Sequence, residues 1–304
     1  MSIAVLPEPK TPFVKAVAEG GVTAEPLSED TTAVVWLDPK GADALDAVLA
    51  EHPAVTWVQL PFAGVDAFIP LFARYPQIRF TSAKGAYDQP VAEHALALTL
   101  AVLREFPHFA RAQQWQKQAG RSLFGLRVAV VGAGGIGREI VRLLQPFDTH
   151  ITVVRRRAAE PVVGADQTVD VAGFKAQLQA FDVVILAAAL TADTKSLLGA
   201  GEFAALPDDA VVINIARGPH IDTDALVAAL RDGQIAGAGL DVTDPEPLPE
   251  DHPLWSAGNI LITPHTANTW AMAERPLSRR IANNVRAFEG EGEYEGVVDI
   301  EAGY

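Results

Sequence analysis

Four strand-forming residues, Val128-Ala129-Val130-Val131, run without a break into Gly132-Ala133-Gly134-Gly135-Ile136-Gly137. Beyond the glycines, Ile136, Ile140, Val141, Leu143 and Leu144 recur at the spacing of one helix face. Few chain geometries accept this order. It requires a buried strand, a tight turn, and a helix that packs back against the strand. Gly132 permits the tight turn, Gly134 lets the backbone approach a bulky anion, and Gly137 lets helix and strand touch. The N–H groups that open the helix, together with its dipole, attract a phosphate. The motif predicts an α/β sheet with a diphosphate cradle at one strand end, which suits a dinucleotide.

Short β-like runs alternate with helical patterns through the rest of the chain, which predicts parallel sheets covered by helices. The first half offers strands at Ile3–Leu6, Ala33–Leu37, Thr56–Leu60 and Arg79–Ser82, with helices near Phe13–Ala18, Ala42–Glu51 and Val65–Tyr75. A long helix is expected over Pro90–Gln118. Its early part is apolar nearly all round, as a helix buried between layers or subunits would be, and it bridges two domains. A second series places strands at Arg127–Val131, Ile151–Val154, Val183–Ala187, Val211–Ile215, Gly237–Val242 and Ile260–Thr263. A last helix is expected over Ala273–Glu289, and no fixed-period repeat stands out.

Composition narrows the function classes. A net charge of -14 argues against a nucleic-acid surface, and an anionic substrate then needs a local positive site. The absence of cysteine excludes disulfides, thiolate metal sites and a cysteine nucleophile. No His/Asp/Glu cluster has metal-ligand spacing, so no metal is expected. No apolar run reaches membrane-spanning length and the start lacks a secretory pattern, so the expected location is cytoplasmic.

The residues after the second strand of the second series speak to the cofactor. An NAD site usually carries Asp or Glu there for the ribose hydroxyls. Here Ile151-Thr152-Val153-Val154 ends in Arg155-Arg156-Arg157, with no carboxylate in that position. Guanidinium groups bind a 2′-phosphate bidentately, so NADP(H) is the expected cofactor, with NAD(H) as the alternative. A solvated basic turn is the plainer reading of the same residues.

In an open parallel sheet, ligands sit outside the carboxyl ends of the strands. Three polar groups follow the late strands: Arg217, Glu246 in the acidic loop after Val242, and His265 after Thr263-Pro264. Reducing a 2-oxo acid needs a fixed cation for the carboxylate and for charge growing on the carbonyl oxygen. It also needs a proton donor, for which an imidazole is suited, and a carboxylate to orient that ring. Taken singly, Arg217 reads as a surface ion-pair partner, Glu246 as a solvated acid and His265 as a structural histidine. Their convergence on one rim favours chemistry. His94 and His220 are read as structural.

At these residues the sequence resembles the D-isomer-specific 2-hydroxyacid dehydrogenases, a family that includes glyoxylate/hydroxypyruvate reductases and phosphoglycerate dehydrogenase. The likeness covers nearly the whole chain and is strongest over Gly125–Gly137, Val211–Asp222, Gly237–Pro247 and Asn259–Ala267. It implies two Rossmann-like, doubly wound parallel-sheet domains with a cleft between them. Residues 94–271 would bind the dinucleotide; residues 1–93 and 272–304 would bind substrate. It implies that Arg217 anchors the substrate, that His265 is the acid/base and that Glu246 is its partner. Gly135 and Ile136 would meet the pyrophosphate, and Asp241 the nicotinamide carboxamide. Ala188, Ile215 and Ala216 complete the expected cofactor set. Backbone N–H groups of Ala63 and Gly64 would hold the substrate carboxylate. Lys84 and Tyr87 lie in a loop facing the cleft in relatives; Lys84 reads as a substrate contact or a solvated lysine, and Trp270 as a pocket wall or ordinary packing. A homodimer through the cofactor domain is implied. Two alternatives stay open: a dinucleotide-sensing binding protein, and phosphoglycerate oxidation.

Overall fold

The structure is a computed structural model that describes residues 2–300. The chain divides into two compact units, one running up to Tyr87 and resuming at Thr269, the other spanning Asp88–Asn268. The first contains β1 (Ser2–Leu6), α1 (Thr11–Glu19), β2 (Thr31–Trp36), α2 (Ala42–Glu51), β3 (Trp57–Gln59), α3 (Ile69–Arg74) and β4 (Arg79–Thr81). The second contains α4 (Asp88–Leu103), α5 (Phe106–Phe109), β5 (Arg127–Val131), α6 (Gly135–Leu144), β6 (His150–Val154), β7 (Gln167–Val169), α7 (Val171–Lys175), β8 (Val183–Leu186), α8 (Ala200–Ala205), β9 (Val211–Asn214), α9 (Thr223–Arg231), β10 (Gly237–Leu240) and β11 (Ile260–Ile262). The chain then returns to the first unit as α10 (Trp270–Phe288).

The first unit is a four-stranded parallel sheet in the order β1-β2-β3-β4. Its return helix is tied down by a buried polar chain. Trp57 Nε1 donates to Thr81 Oγ1 (2.9 Å), Thr81 Oγ1 donates to Gln59 Oε1 (2.8 Å), and Asn284 Nδ2 donates to the same Gln59 oxygen (2.7 Å). Gln59, Thr81 and Asn284 are all fully buried, so each unmade bond would cost about 1–3 kcal/mol. Arg280, also buried, adds a bond from Nη1 to Ser82 O at 2.8 Å. These contacts explain why residues more than 200 positions apart share one core.

The second unit is a seven-stranded sheet in the order β11-β10-β9-β8-β5-β6-β7, with every pairing parallel. The chain moves from β5 outward to β7, then crosses to the other side of β5 to lay down β8. The order therefore reverses beside β5, the strand that feeds the glycine turn. Val128, Ala129 and Val130 are fully buried, as are Val183, Val184 and Ile185, because a parallel sheet is covered on both faces.

Two expectations are corrected. The helix expected over Pro90–Gln118 ends at Leu103. Glu105 turns left-handed at φ 53° and breaks the run; α5 restarts it for a single turn with Pro107 at its start, and residues 110–118 lie outside any helix. The apolarity of its early part is accounted for within the second unit, where α4 packs on α6 and on β9, β10 and β11. Helix α10 begins three residues earlier than expected, because Thr269 caps it by accepting from Met272 N.

Strand β10 lets α4 lie close. A Cβ on Gly237 would stand 2.7 Å from Val102 Cγ1 and 2.6 Å from Asn259 Nδ2. Gly237→Ala is therefore expected to overpack this layer by about 1–3 kcal/mol. Thermal denaturation should show a Tm lower by about 3–10 °C; an unchanged Tm would contradict the close packing.

Candidate active site

The glycine turn comes first in the chain. Gly132 sits at φ 116°, and a Cβ there would lie 2.6 Å from the Ala187 carbonyl oxygen. A Cβ on Gly137 would overlap the Gly132 carbonyl, so α6 approaches β5 as closely as a glycine allows. Around Gly134 the opposite holds: a Cβ would meet nothing within 4 Å. That open space, in front of the first N–H groups of α6, is what a bulky anion needs. Gly135 packs against the Asp88 carboxylate, and Ile136 is half-buried at the helix start. The donors and the space fit the diphosphate of a dinucleotide.

The turn after β6 departs from the sequence reading. Its three arginines are joined by a carboxylate, because the chain folds back with Glu160 N donating to Arg157 O. Arg155 Nη2 meets Glu160 Oε2 at 2.7 Å, and Arg157 Nε lies 3.4 Å from Glu160 Oε1. Arg155 is mostly covered, while Arg156 and Arg157 are exposed.

The ends of β9, β10 and β11 lie side by side in the sheet. Beyond β9, Ile215 and Ala216 are buried and Arg217 is partly buried. Asn214 shapes this loop, accepting from Ala216 N (3.0 Å) and donating to Arg217 O (2.8 Å). The Arg217 guanidinium donates from Nη1 to Ala216 O at 2.7 Å. Beyond β8, Ala188 O faces His220 Nε2 at 3.0 Å, and His220 Nδ1 faces Thr194 O at 2.8 Å; this buried histidine stitches two strand-end loops together.

His265 Nδ1 lies 2.8 Å from Glu246 Oε1, and both side chains are about half exposed. Against an ionised carboxylate the Nδ1 proton is donated, which leaves Nε2 as the working nitrogen. The His265 backbone is left-handed, at φ 51°.

Asp241, at the end of β10, is buried and heavily bonded. Its Oδ1 accepts from Thr263 Oγ1 (2.6 Å) and Thr266 N (2.8 Å), and its Oδ2 from Ala267 N (3.0 Å). His94 Nε2 lies 2.9 Å from Thr263 Oγ1 and 3.3 Å from Asp241 Oδ1. Burial pushes the Asp241 carboxyl upward, but the bonds from His94, Thr263 and the two backbone N–H groups outweigh it and hold the pKa below its ordinary value. His94, Thr263 and Asn214 were missed as site residues. The signals were Asn214 and Thr263 falling within stretches of strongest family likeness, and His94 closing the family-like segment Val91-Ala92-Glu93-His94.

The expected substrate residues lie in the first unit. Ala63 and Gly64 follow β3 in a loop braced by Tyr87, whose buried hydroxyl donates to Pro61 O (2.7 Å). Burial raises the Tyr87 pKa, so the phenol remains a donor. Lys84 is exposed in the loop after β4. Trp270 packs on Phe62 at 5.2 Å between ring centroids and carries the Lys10 ammonium over its ring at 4.2 Å. Among the described residues, no three His, Asp or Glu side chains come together to hold a metal, and no helix is long and apolar enough to cross a membrane.

Asp241 yields a stability prediction. Its folded carboxyl titrates below 3.8, so its stabilisation is complete above that pH and is lost as pH falls through the folded value. Asp241→Asn should cost about 1–3 kcal/mol at neutral pH. In denaturant melts the gap from wild type should close towards strong acid. A gap independent of pH would contradict the ionised, bonded carboxylate.

Comparison with known proteins places this geometry in a family. The profile described as D-isomer specific 2-hydroxyacid dehydrogenase, NAD binding domain, matches residues 96–267. The glyoxylate reductase of Pyrococcus furiosus is 29% identical over 93% of each chain. The glyoxylate reductase/hydroxypyruvate reductase of Mus musculus is 32% identical over 69% of this chain and 66% of its own. The crystal structure of a D-isomer specific 2-hydroxyacid dehydrogenase from Xanthobacter autotrophicus Py2, in complex with NADPH and MES, is 28% identical, covers 100% of this chain and 99% of its own, and superposes with a TM-score of 0.84. The two parallel sheets, the glycine turn and these matches show that the chain belongs to the D-isomer specific 2-hydroxyacid dehydrogenase family, as an oxidoreductase with an NAD(P)-binding domain.

Proposed function

We propose that this chain reduces small 2-oxo acids of the glyoxylate and hydroxypyruvate type, and oxidises the matching 2-hydroxy acids, with NADP(H) as its preferred hydride carrier. The observation that carries the reading is the 2.8 Å contact of His265 Nδ1 with Glu246 Oε1, on the rim that also presents Arg217. Glu246 fixes the imidazole tautomer. Nε2 of the protonated ring donates to the carbonyl oxygen during reduction, and Nε2 of the neutral ring removes the hydroxyl proton during oxidation. The nicotinamide, when bound, supplies or accepts the hydride. Arg217 pairs with the substrate carboxylate and opposes charge growing on the carbonyl oxygen. On the first unit, Ala63 and Gly64 are the candidates to offer backbone N–H groups to substrate, and Lys84 a further cation.

The dinucleotide is held by Gly132, Gly134, Gly135, Ile136 and Gly137 at its diphosphate. Ala188, Ile215 and Ala216 would line its nicotinamide half; Asp241, expected to contact the carboxamide, is buried with both oxygens bonded within the protein and would support that half from behind. Arg155, Arg156 and Arg157 would hold a 2′-phosphate, in competition with the Glu160 carboxylate now paired with Arg155. Phe106 and Trp115 expose 56% and 99% of their surface in the segment after α4, and they suit a homodimer interface on this unit.

Two experiments test the reading. With a panel of 2-oxo acids, NADPH should be oxidised. His265→Ala should lower kcat by about 10²–10⁴-fold while NADPH still binds. No turnover by wild type would favour a dinucleotide-sensing protein, and full turnover by the variant would refute the role of His265. For the cofactor, Arg155→Ala should raise KM for NADPH about tenfold and leave KM for NADH within about twofold. A wild-type preference for NADH would overturn the NADP(H) assignment.

A further inference from the structure

His94 stands outside the residues so far given a role, yet it touches the network beneath His265. We propose that His94 is a positioning residue for His265, acting through Thr263 and Asp241; the proposal rests on the acid/base role given to His265 above.

The argument begins with proton accounting. Asp241 is an ionised acceptor and has no proton to give. Thr263 has a single hydroxyl proton, and at 2.6 Å from Asp241 Oδ1 it is committed to the carboxylate. The 2.9 Å contact between Thr263 Oγ1 and His94 Nε2 then has one sense: the imidazole donates from Nε2 and the hydroxyl accepts. Nε2 also points its proton towards Asp241 Oδ1, 3.3 Å away. His94, Thr263 and Asp241 form a directed chain that starts on a helix and ends on a buried anion.

The anion holds the catalytic loop. Asp241 accepts from the N–H groups of Thr266 and Ala267 through its side chain, and from His265 N through its own carbonyl at 2.8 Å. Three consecutive amides are thereby fixed to one residue. They enclose a non-glycine residue at φ 51°, a strained conformation that persists only where its surroundings over-determine it. Glu246 orients the ring of His265 from its other end. The ring is thus set by Glu246 and its backbone by Asp241.

His94 supplies what Asp241 and Thr263 cannot. Both lie at strand ends, where the chain leaves the sheet. His94 belongs to α4, whose Ala92, Ala95 and Leu98 are buried and which packs along β9, β10 and β11. Its donated bond ties the loop carrying the acid/base group to the most firmly packed helix of the unit. Release of that bond leaves Oδ1 with two donors and frees Thr263 to turn. A misplacement of about 1 Å at a catalytic group lowers rate by about 10²-fold.

The test compares His94→Leu, His94→Gln and His94→Asn. Glutamine places an N–H donor at the reach of Nε2, whereas asparagine stops at the reach of Nδ1 and leucine has no donor. His94→Leu and His94→Asn should lower kcat about ten- to a hundredfold, with KM for the 2-oxo acid within about threefold, since Arg217 is untouched. His94→Gln should retain kcat within about threefold. Hydrogen exchange gives a readout free of turnover: the amides of His265, Thr266 and Ala267 should exchange about tenfold faster in His94→Leu and at the wild-type rate in His94→Gln. Wild-type kcat and protection in His94→Leu would overturn the proposal. Equal losses in all three variants would overturn it too, because the donated proton would not be what matters. A His94→Leu chain that fails to fold leaves the Gln and Asn pair to decide. If wild type reduces no 2-oxo acid, the functional reading fails on its own account and the exchange rates alone decide whether His94 holds the loop.

Discussion

Every strand of the seven-stranded sheet runs in the same direction, and the site depends on that constraint. A parallel strand returns to its starting edge only through a crossover, so all carboxyl ends gather on one rim. The glycine turn after β5, Arg217 after β9, Asp241 after β10 and His265 after β11 are brought together by direction alone. The reversal of strand order beside β5 opens the crevice in which such a sheet binds its ligand. The polar groups then need only short loops to reach one another.

Much of this was legible because it is local. A run of buried β-formers cannot avoid being a central strand, and β5 spans the expected Arg127–Val131. The apolar spacing of Ala42–Glu51 admits one helix face, and α2 has those bounds. The rim residues were legible because strand direction turns sequence position into spatial position. What escaped was set by tertiary context. The polar stretch around Gln113–Gln118 contains good helix formers, but a left-handed Glu105 cuts it off from α4, and α5 ends at Phe109 before reaching it. The role of His94 depends on its packing height over β10 and β11, which no spacing in the sequence encodes. Glu160 was invisible at the arginines because a turn, and no periodic element, brings it back.

The electrostatics of the rim contrast with those of the whole chain. A net charge of -14 repels an anionic substrate and an anionic cofactor alike. Positive groups nonetheless gather at the carboxyl ends of the strands: the helix N-terminus of α6, the arginines after β6, and Arg217. In the protein by itself, two of these arginines are partly neutralised by Glu160. Such a paired, partly exposed carboxylate lowers the cost of keeping the cations together.

A left-handed histidine at the acid/base position shows where strain is placed. The backbone at His265 has no glycine to relax it, so the fold supplies three amide bonds to Asp241 and a ring bond to Glu246. The buried carboxylate that makes this possible is expensive to desolvate, and four donated bonds offset that cost. The consequence is a division of labour between two acids. Half-exposed Glu246 holds the imidazole of His265 at Nδ1. Buried Asp241, its pKa held below the ordinary value, fixes the backbone of the same loop. A single acid could not do both, because the donors from His94, Thr263, Thr266 and Ala267 already occupy Asp241.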